Sequence, residues 1–244
     1  MNTQNNNVQY ECGSTQHQGY LALAKTDQQP TPGIIVIHEW WGINDYIRQR
    51  CDMLAELGYT ALGVDLYGNG YQAESPEQAT EAMNSVLSDI DLAGARLRAG
   101  HDFLLSQPNV DASKSAAIGY CFGGAMALHM ARLGLPLSAT VSFHGILSPF
   151  HAPGPGSVQA RILVCHGEDD AMVSMDDVES FRKEMDRLGA NYEVIVHQGA
   201  GHGFTSPKAD HNAEKYGIPV GYNEQADQDS WQAMKDLFSS LWDR

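Results

Sequence analysis

A Gly-Tyr-Cys-Phe-Gly-Gly segment at residues 119–124 limits the fold of this chain more than any other feature. A strand pattern precedes it over residues 114–120, and a helix pattern of small residues follows it over residues 123–133. The flanking glycines allow a strand to turn sharply into a helix, where larger side chains would collide. Such a turn aims the sulfur of Cys121 at a substrate, and the adjacent helix N-terminus favours the thiolate. The segment therefore predicts a cysteine nucleophile between a strand and a helix.

Strand and helix patterns alternate along the rest of the chain. The apolar run at residues 33–38 is typical of a strand buried on both faces, and the helix that follows from Asp45 is predicted to end at Gly58. Further strands are predicted over residues 59–64, 137–143, 161–166 and 191–197. Further helices are predicted over residues 75–105, with a break inside this stretch, and over residues 174–189 and 227–242. A weak hairpin pattern covers residues 8–12 and 19–24, and a long loop is predicted through Gly221.

This alternation predicts an α/β fold, with a mostly parallel sheet and helices on both of its faces. We expect a single domain over residues 1–244, with a flexible tail at residues 1–7. A chain of this length buries a large core without disulfides.

The composition excludes several classes of partner. The chain has 15 Lys and Arg against 30 Asp and Glu, a net charge of −15, which provides no basic stripe for nucleic acid and disfavours anionic membranes. No apolar run is long enough to cross a membrane, and the polar N-terminus lacks the apolar core of a signal peptide. The four cysteines form no C-x-x-C pair. We therefore expect a cytoplasmic protein that binds neither nucleic acid nor membranes, and a homodimer is left open.

Ligands of open parallel sheets bind beyond the carboxyl ends of the strands, so the residues that follow the strands are the candidates for a site. Asp169 and Asp170 compete there as the acid that orients a catalytic histidine, and the spacing to Val173 favours Asp170. His202 lies in a glycine-rich loop after the last predicted strand. Together with Cys121, these residues have the chain order nucleophile, acid, base, which predicts a hydrolase triad.

Three further histidines lie near strand ends: His144, His166 and His197. With Asp170 they could form a metal site, but neither H-E-x-x-H nor H-x-x-E-H spacing occurs. Structural roles for these histidines are therefore favoured, and we expect no metal and no cofactor.

On these residues the sequence resembles the dienelactone hydrolase family of α/β-hydrolases from about residue 19 to residue 242. The resemblance lies in the segments His-Glu-Trp-Trp-Gly at 38–42, Asp-Leu-Tyr at 65–67, the Cys121 segment, Gly-x-x-Asp-x-x-Val at 167–173 and Gly-His-Gly-Phe at 201–204. It implies Cys121 as nucleophile, His202 as base and Asp170 as orienting acid. It also implies that Glu39 helps to deprotonate the thiol, and that the backbone N–H groups of Phe122 and Trp40 form the oxyanion hole.

Two positions depart from the family pattern. Family members that open dienelactone hold the substrate carboxylate with two arginines, and the corresponding residues here are Asn69 and Ser206. Without these bidentate clamps, strong binding of an anionic lactone is not expected. Trp41 and Tyr67 instead predict an aromatic wall for the substrate pocket.

The sequence thus predicts a metal-independent hydrolase that cleaves neutral esters or lactones through a thioester, with cleavage of neutral aryl phosphotriesters as a hypothetical side activity. The expected partner is the small-molecule ester or lactone itself. Two alternatives stay open. One is a redox-sensitive thiol protein based on Cys121, and the other is a non-catalytic ligand-binding protein on the same scaffold.

Overall fold

A computed structural model describes residues 6–242 of the chain. Two compact units divide between Ala117 and Ile118, inside a strand. The first unit contains β1 (Asn7–Cys12), β2 (Thr15–Ala22), β3 (Thr31–Ile37), α1 (Asp45–Glu56), β4 (Thr60–Val64), α2 (Pro76–Leu87), α3 (Ile90–Leu105) and the start of β5 (Val110–Tyr120). The second contains the end of β5, then α4 (Phe122–Arg132), β6 (Ala139–Phe143), β7 (Arg161–Gly167), α5 (Met175–Leu188), β8 (Tyr192–His197), α6 (Ala209–Tyr216) and α7 (Glu224–Trp242).

The described strands follow the order β1-β2-β4-β3-β5-β6-β7-β8 in one sheet. The β1–β2 and β2–β4 pairs are antiparallel, whereas the β3–β4, β6–β7 and β7–β8 pairs are parallel. The predicted α/β fold, a mostly parallel sheet with helices on both faces, is confirmed. The single domain over residues 1–244 stays a prediction.

Apolar runs and capping residues explain the elements that lead to the site. In β3 and β4 almost every residue is buried, as expected of strands covered on both faces. Helix α5 begins with a capping box between Ser174 and Asp177 and ends at Gly189, whose φ of 66° suits a residue without a Cβ. Every residue of α4 is buried, and its run of glycine and alanine lets it pack closely.

Two sequence predictions need correction. Asn7 was expected in a flexible tail, yet it begins β1 and pairs with Tyr20, because the hairpin with β2 extends to the end of the described chain. Residues 1–5 of that predicted tail lie outside the described residues. The loop predicted through Gly221 contains α6, a short helix that has no side-chain N-cap and ends at Gly217 with a φ of 67°. The break predicted within residues 75–105 is confirmed, and it lies at Ser88 and Asp89 between α2 and α3.

Candidate active site

The turn around Cys121 has the geometry that its glycines predict. Cys121 lies between β5 and α4 with φ 53° and ψ −117°. Residues other than glycine rarely adopt this backbone conformation. Its backbone N–H donates to the carbonyl of Phe143 at the end of β6. A Cβ on Gly119 would lie 1.9 Å from the carbonyl oxygen of Gly123, so only glycine fits there. The strand-to-helix turn therefore requires glycine at position 119, where the backbone of Gly123 approaches closely.

The first turn of α4 provides the surroundings of the thiol. Gly124 N–H donates to the carbonyl of Cys121 at 2.9 Å, which begins the helix directly after the cysteine. Phe122 is the first residue of α4, and the first N–H groups of an α-helix have no acceptor within the helix itself. The helix dipole adds partial positive charge at this end. The position is thus suited to negative charge on sulfur or on a nearby oxygen.

The structure brings Cys121, His202 and Asp170 together within the second unit. The Nε2 atom of His202 is 3.1 Å from Cys121 Sγ, and its Nδ1–H donates to Asp170 Oδ2 at 2.8 Å. Both His202 and Asp170 are buried, whereas Cys121 is half-buried. Asp169 is exposed, so the choice between the two aspartates falls on Asp170 by burial as well as by contact.

Backbone groups hold the carboxylate of Asp170 in place. Its Oδ1 accepts the N–H groups of Met172 and Val173 at 2.8 and 2.9 Å, which leaves Oδ2 for the histidine. The bond from Val173 N–H to Asp170 agrees with the sequence spacing between these two residues, which favours Asp170 as the acid. Because Asp170 bonds both to the backbone and to His202, it fixes the ring relative to the end of β7.

The two titratable partners are shifted in opposite directions. Burial alone would raise the pKa of Asp170, but its bond and charge interaction with His202 and its two backbone donors lower it overall. Burial alone would lower the pKa of His202, but the charges and hydrogen bonds of Cys121 and Asp170 outweigh it and raise this pKa to about 10. The site therefore favours the protonated form of His202 and the ionised form of Asp170.

Close backbone approaches hold the His202 loop against the end of β7. A Cβ on Gly167 would lie 2.4 Å from the carbonyl oxygen of Ala200, and Asp169 N–H donates to that same carbonyl. Farther along the loop, Gly221 N–H donates to the carbonyl of His202. The absence of a side chain at Gly167 thus allows the loop after β7 and the loop after β8 to pack closely enough for Asp170 to reach His202.

His144 also contacts His202, which the sequence did not predict. Its ring packs edge to face with the ring of His202, with 5.3 Å between the centroids and 65° between the planes. Its Nε2 shares a hydrogen bond of 2.7 Å with the hydroxyl of Thr205. The only sequence signal was its place after a strand. His166 and His197 are buried, and burial lowers the pKa of both.

Glu39, Trp40 and Trp41 follow β3 in the first unit. Glu39 is a buried carboxylate with 7% exposure, and both tryptophans are half-buried with their rings 5.0 Å apart. Leu66 N–H donates to Nε2 of His38, so the proton lies on Nδ1, which donates to the carbonyl of Glu39. This fixes the peptide that carries the N–H of Trp40.

The loop after β4 carries Tyr67 and Asn69. The hydroxyl of Tyr67 donates to the carbonyl of Trp40 at 2.8 Å, so it holds the segment after β3 as well as presenting an aromatic ring. Asn69 is exposed with φ 56°, which asparagine tolerates. Asp65 accepts four backbone N–H groups, those of Gln18, Tyr67, Gly68 and Gly70. Ser206 belongs to the second unit, where it is buried with 6% exposure. It lies four residues after His202.

Neither a metal-binding cluster of side chains nor a membrane-spanning helix occurs among the described residues 6–242. Within that range, His, Cys, Asp and Glu form no cluster of three or more that could hold a metal ion. No helix in the same range is long and apolar enough to cross a membrane.

Comparisons with known proteins agree on one family. The sequence profile of the "Dienelactone hydrolase family" matches residues 18–241. A dienelactone hydrolase-like promiscuous phosphotriesterase from metagenomic libraries is 38% identical with a TM-score of 0.90, over 96% of this chain and 97% of that one. The structure of m3DLH is 36% identical with a TM-score of 0.89 over the same shares. Protein usf of Aquifex pyrophilus is 29% identical over 82% of this chain and 87% of its own.

Proposed function

Because the chain belongs to the dienelactone hydrolase family, we propose that it hydrolyses neutral esters or lactones with Cys121 as the nucleophile. The observation that carries this proposal is the ring of His202, which bonds Cys121 with one nitrogen and Asp170 with the other. A histidine bonded in this way takes a proton from the nucleophile and later returns it to the leaving group. A ligand-binding protein would need neither bond.

The proposed reaction has two stages. The Cys121 thiolate adds to the carbonyl carbon, the oxyanion collapses, and the alkoxide or phenoxide leaves with the proton of His202. Water then loses a proton to His202, attacks the thioester and releases the acid, which restores the thiol. We assign the oxyanion donors to the N–H groups of Phe122 and Trp40, and thiol activation to Glu39, on the family resemblance. Preorganised donors of this kind stabilise the charge that develops on oxygen.

The substrate is proposed to be neutral and to have a good leaving group. Asn69 and Ser206 stand where dienelactone-cleaving relatives have arginines, and the net charge of −15 also disfavours anions. A thiolate is itself a good leaving group, so the tetrahedral intermediate returns to substrate unless the other group leaves as readily. Aryl esters and activated lactones meet this requirement, and Trp41 and Tyr67 are assigned to the aromatic wall of the pocket.

A panel of p-nitrophenyl esters, aryl esters, lactones and dienelactone tests the proposal. We expect Cys121→Ala and His202→Ala to lose about a thousandfold or more in kcat, because triad members act as a unit. Cys12→Ala is the matched control, since Cys12 is a partly exposed cysteine on β1. Substantial turnover by Cys121→Ala would refute the covalent mechanism. Oxidation of Cys121 by peroxide, without esterase activity in any assay, would favour the redox alternative.

Cleavage of neutral aryl phosphotriesters is a second proposed activity. It is supported by the relative that is 38% identical and is named a promiscuous phosphotriesterase. In this reaction the thiolate attacks phosphorus and displaces the aryloxide, which takes up the proton of His202. Water activated by His202 then cleaves the phosphorus–sulfur bond and releases a phosphodiester. The same oxyanion donors serve the phosphoryl oxygen, which also gains negative charge during attack.

A chromogenic phosphotriester distinguishes turnover from inhibition. Steady release of the phenol that survives EDTA and disappears in Cys121→Ala is the expected result. A burst of one equivalent followed by no further release would mean that water does not reach the phosphorus–sulfur bond, and would refute turnover while leaving the ester proposal intact.

A further inference from the structure

His144 has a strained backbone next to the proposed base. It follows β6 with φ 41°, in the left-handed region that residues other than glycine adopt uncommonly. The residue is fully buried, and its N–H donates to the carbonyl of Cys165 on β7 at 2.8 Å. Strain of this kind persists where the surrounding contacts enforce it. The strained backbone therefore serves to position the side chain of His144 among its contacts.

The strained backbone directs the imidazole of His144 into the space beside His202. Its centroid is 5.3 Å from that of His202 and 5.1 Å from that of Phe204, in edge-to-face geometry with both. The hydroxyl of Thr205 bonds its Nε2 at 2.7 Å and fixes the orientation of the ring. Because Thr205 is itself fully buried, this bond is shielded from water.

We propose that His144 is a positioning residue for His202, and that it acts mainly in the second half of the reaction. This inference rests on the proposed thioester mechanism. The torsion about the Cβ–Cγ bond of a histidine has broad minima, so the ring orientation must be fixed by its contacts. In the free enzyme, the contacts of the His202 ring include those with Asp170, Cys121 and His144.

Acylation removes one of these contacts. Once the sulfur of Cys121 carries the acyl group, it no longer pairs with Nε2 of His202, whereas the bond to Asp170 and the ring contact with His144 remain. At that stage Nε2 must hold and deprotonate the water that attacks the thioester. A ring that is free to tilt would place this water poorly, and small misplacements reduce rates strongly. Loss of His144 should therefore slow deacylation more than acylation.

His144→Asn and Thr205→Val test the inference. Asparagine removes the ring but tolerates the left-handed backbone, and valine removes the hydroxyl while retaining the side-chain shape. The acyl-enzyme is followed by rapid-quench mass spectrometry with a p-nitrophenyl ester. We expect deacylation to fall about 10- to 100-fold in His144→Asn and acylation to fall by less than about threefold, against a general-base contribution of 10²–10⁴. Thr205→Val should show the same selectivity with a smaller effect.

The matched control is His101→Asn. His101 on α3 is also a buried histidine bonded to a hydroxyl, that of Ser115 at 2.9 Å, and it belongs to the first unit, whereas the proposed triad belongs to the second. Both of its rates should equal those of the wild type. Equal losses in acylation and deacylation in the His144 and Thr205 variants, or no loss in either, would overturn the inference. If His144→Asn does not fold, Thr205→Val decides. Absence of any acyl adduct on wild-type Cys121 would instead refute the proposed function.

Discussion

Replacing Gly119 with alanine is the most direct test of the turn that presents Cys121. An added Cβ would lie 1.9 Å from the carbonyl oxygen of Gly123, 2.2 Å from its carbonyl carbon and 2.7 Å from the nitrogen of Gly124. All three are backbone atoms, so no side-chain rotation relieves the overlap. Ordinary contact begins at 3.4 Å, and the first turn of α4 would therefore have to shift by about 1.5 Å.

The size of this displacement determines how much stability and activity Gly119→Ala is expected to lose. Overpacking against side chains costs about 1–3 kcal/mol, and an overlap with rigid backbone belongs above that range. We expect Gly119→Ala to lower the free energy of unfolding by about 4 kcal/mol, which a protein with 5–15 kcal/mol in total survives. The same shift moves Cys121 and the N–H of Phe122, and a misplacement of about 1 Å reduces kcat about 100-fold.

Urea unfolding followed by circular dichroism and p-nitrophenyl ester turnover are the two assays. Gly154→Ala is the neutral control, because nothing lies within 4 Å of its Cβ, and it should stay within about 0.5 kcal/mol of the wild type. Gly156→Ala isolates the backbone penalty, since its φ is 74° in open space, and should cost about 1–2 kcal/mol. A Gly119→Ala protein with wild-type stability and turnover would refute the role assigned to this glycine.

Three further predictions follow from the charges of the site. Glu39→Gln should slow formation of the acyl-enzyme more than it raises KM, because the proposed role of Glu39 is to activate the thiol; unchanged acylation and unchanged alkylation by iodoacetamide would reassign it to structure. Arginine at both Asn69 and Ser206 should raise kcat/KM for dienelactone about 10- to 100-fold relative to neutral esters, since a bond to a charged group contributes about 1.5–3 kcal/mol; strong wild-type turnover of dienelactone would contradict this reasoning. NMR should find His202 titrating at about pH 10, and markedly lower in Cys121→Ala. Because this folded-state pKa lies above the ordinary 6.5, the stability that the protonated His202 adds is complete below about pH 6.5 and is lost as the pH rises through about 10. A free energy of unfolding that does not change over this pH range would contradict the ion pair between His202 and Asp170.

The features that the sequence predicts well are those encoded by local geometry. The Gly-x-Cys-x-Gly turn, the capping box at Ser174 and the αL glycine at Gly189 each require particular residues at particular spacings, and the structure contains all three. The contact between Asp170 and His202 was predictable for another reason. Asp170 follows β7 and His202 follows β8, and these two strands are parallel neighbours, so their carboxyl ends meet at the same edge of the sheet.

Features that depend on tertiary packing were not predictable. Helix α6 has no side-chain cap and only eight residues, so its polar sequence resembles a loop. The role of Asp65, which accepts four backbone N–H groups, depends on how the loop after β4 folds back on its own carboxylate. Tyr67 was expected only to line a pocket, yet its hydroxyl also holds the carbonyl of Trp40.

The distribution of backbone strain in the second unit agrees with the proposed division of roles. Among the described residues, the non-glycine residues with positive φ are Asn69, Cys121 and His144. Asparagine adopts this conformation readily, but cysteine and histidine do so at a cost. The two strained residues meet at the end of β6, because Cys121 N–H donates to the carbonyl of Phe143 and the ring of the next residue, His144, packs against the ring of His202. The end of β6 therefore contacts the proposed nucleophile through its backbone and the proposed base through the side chain that follows it.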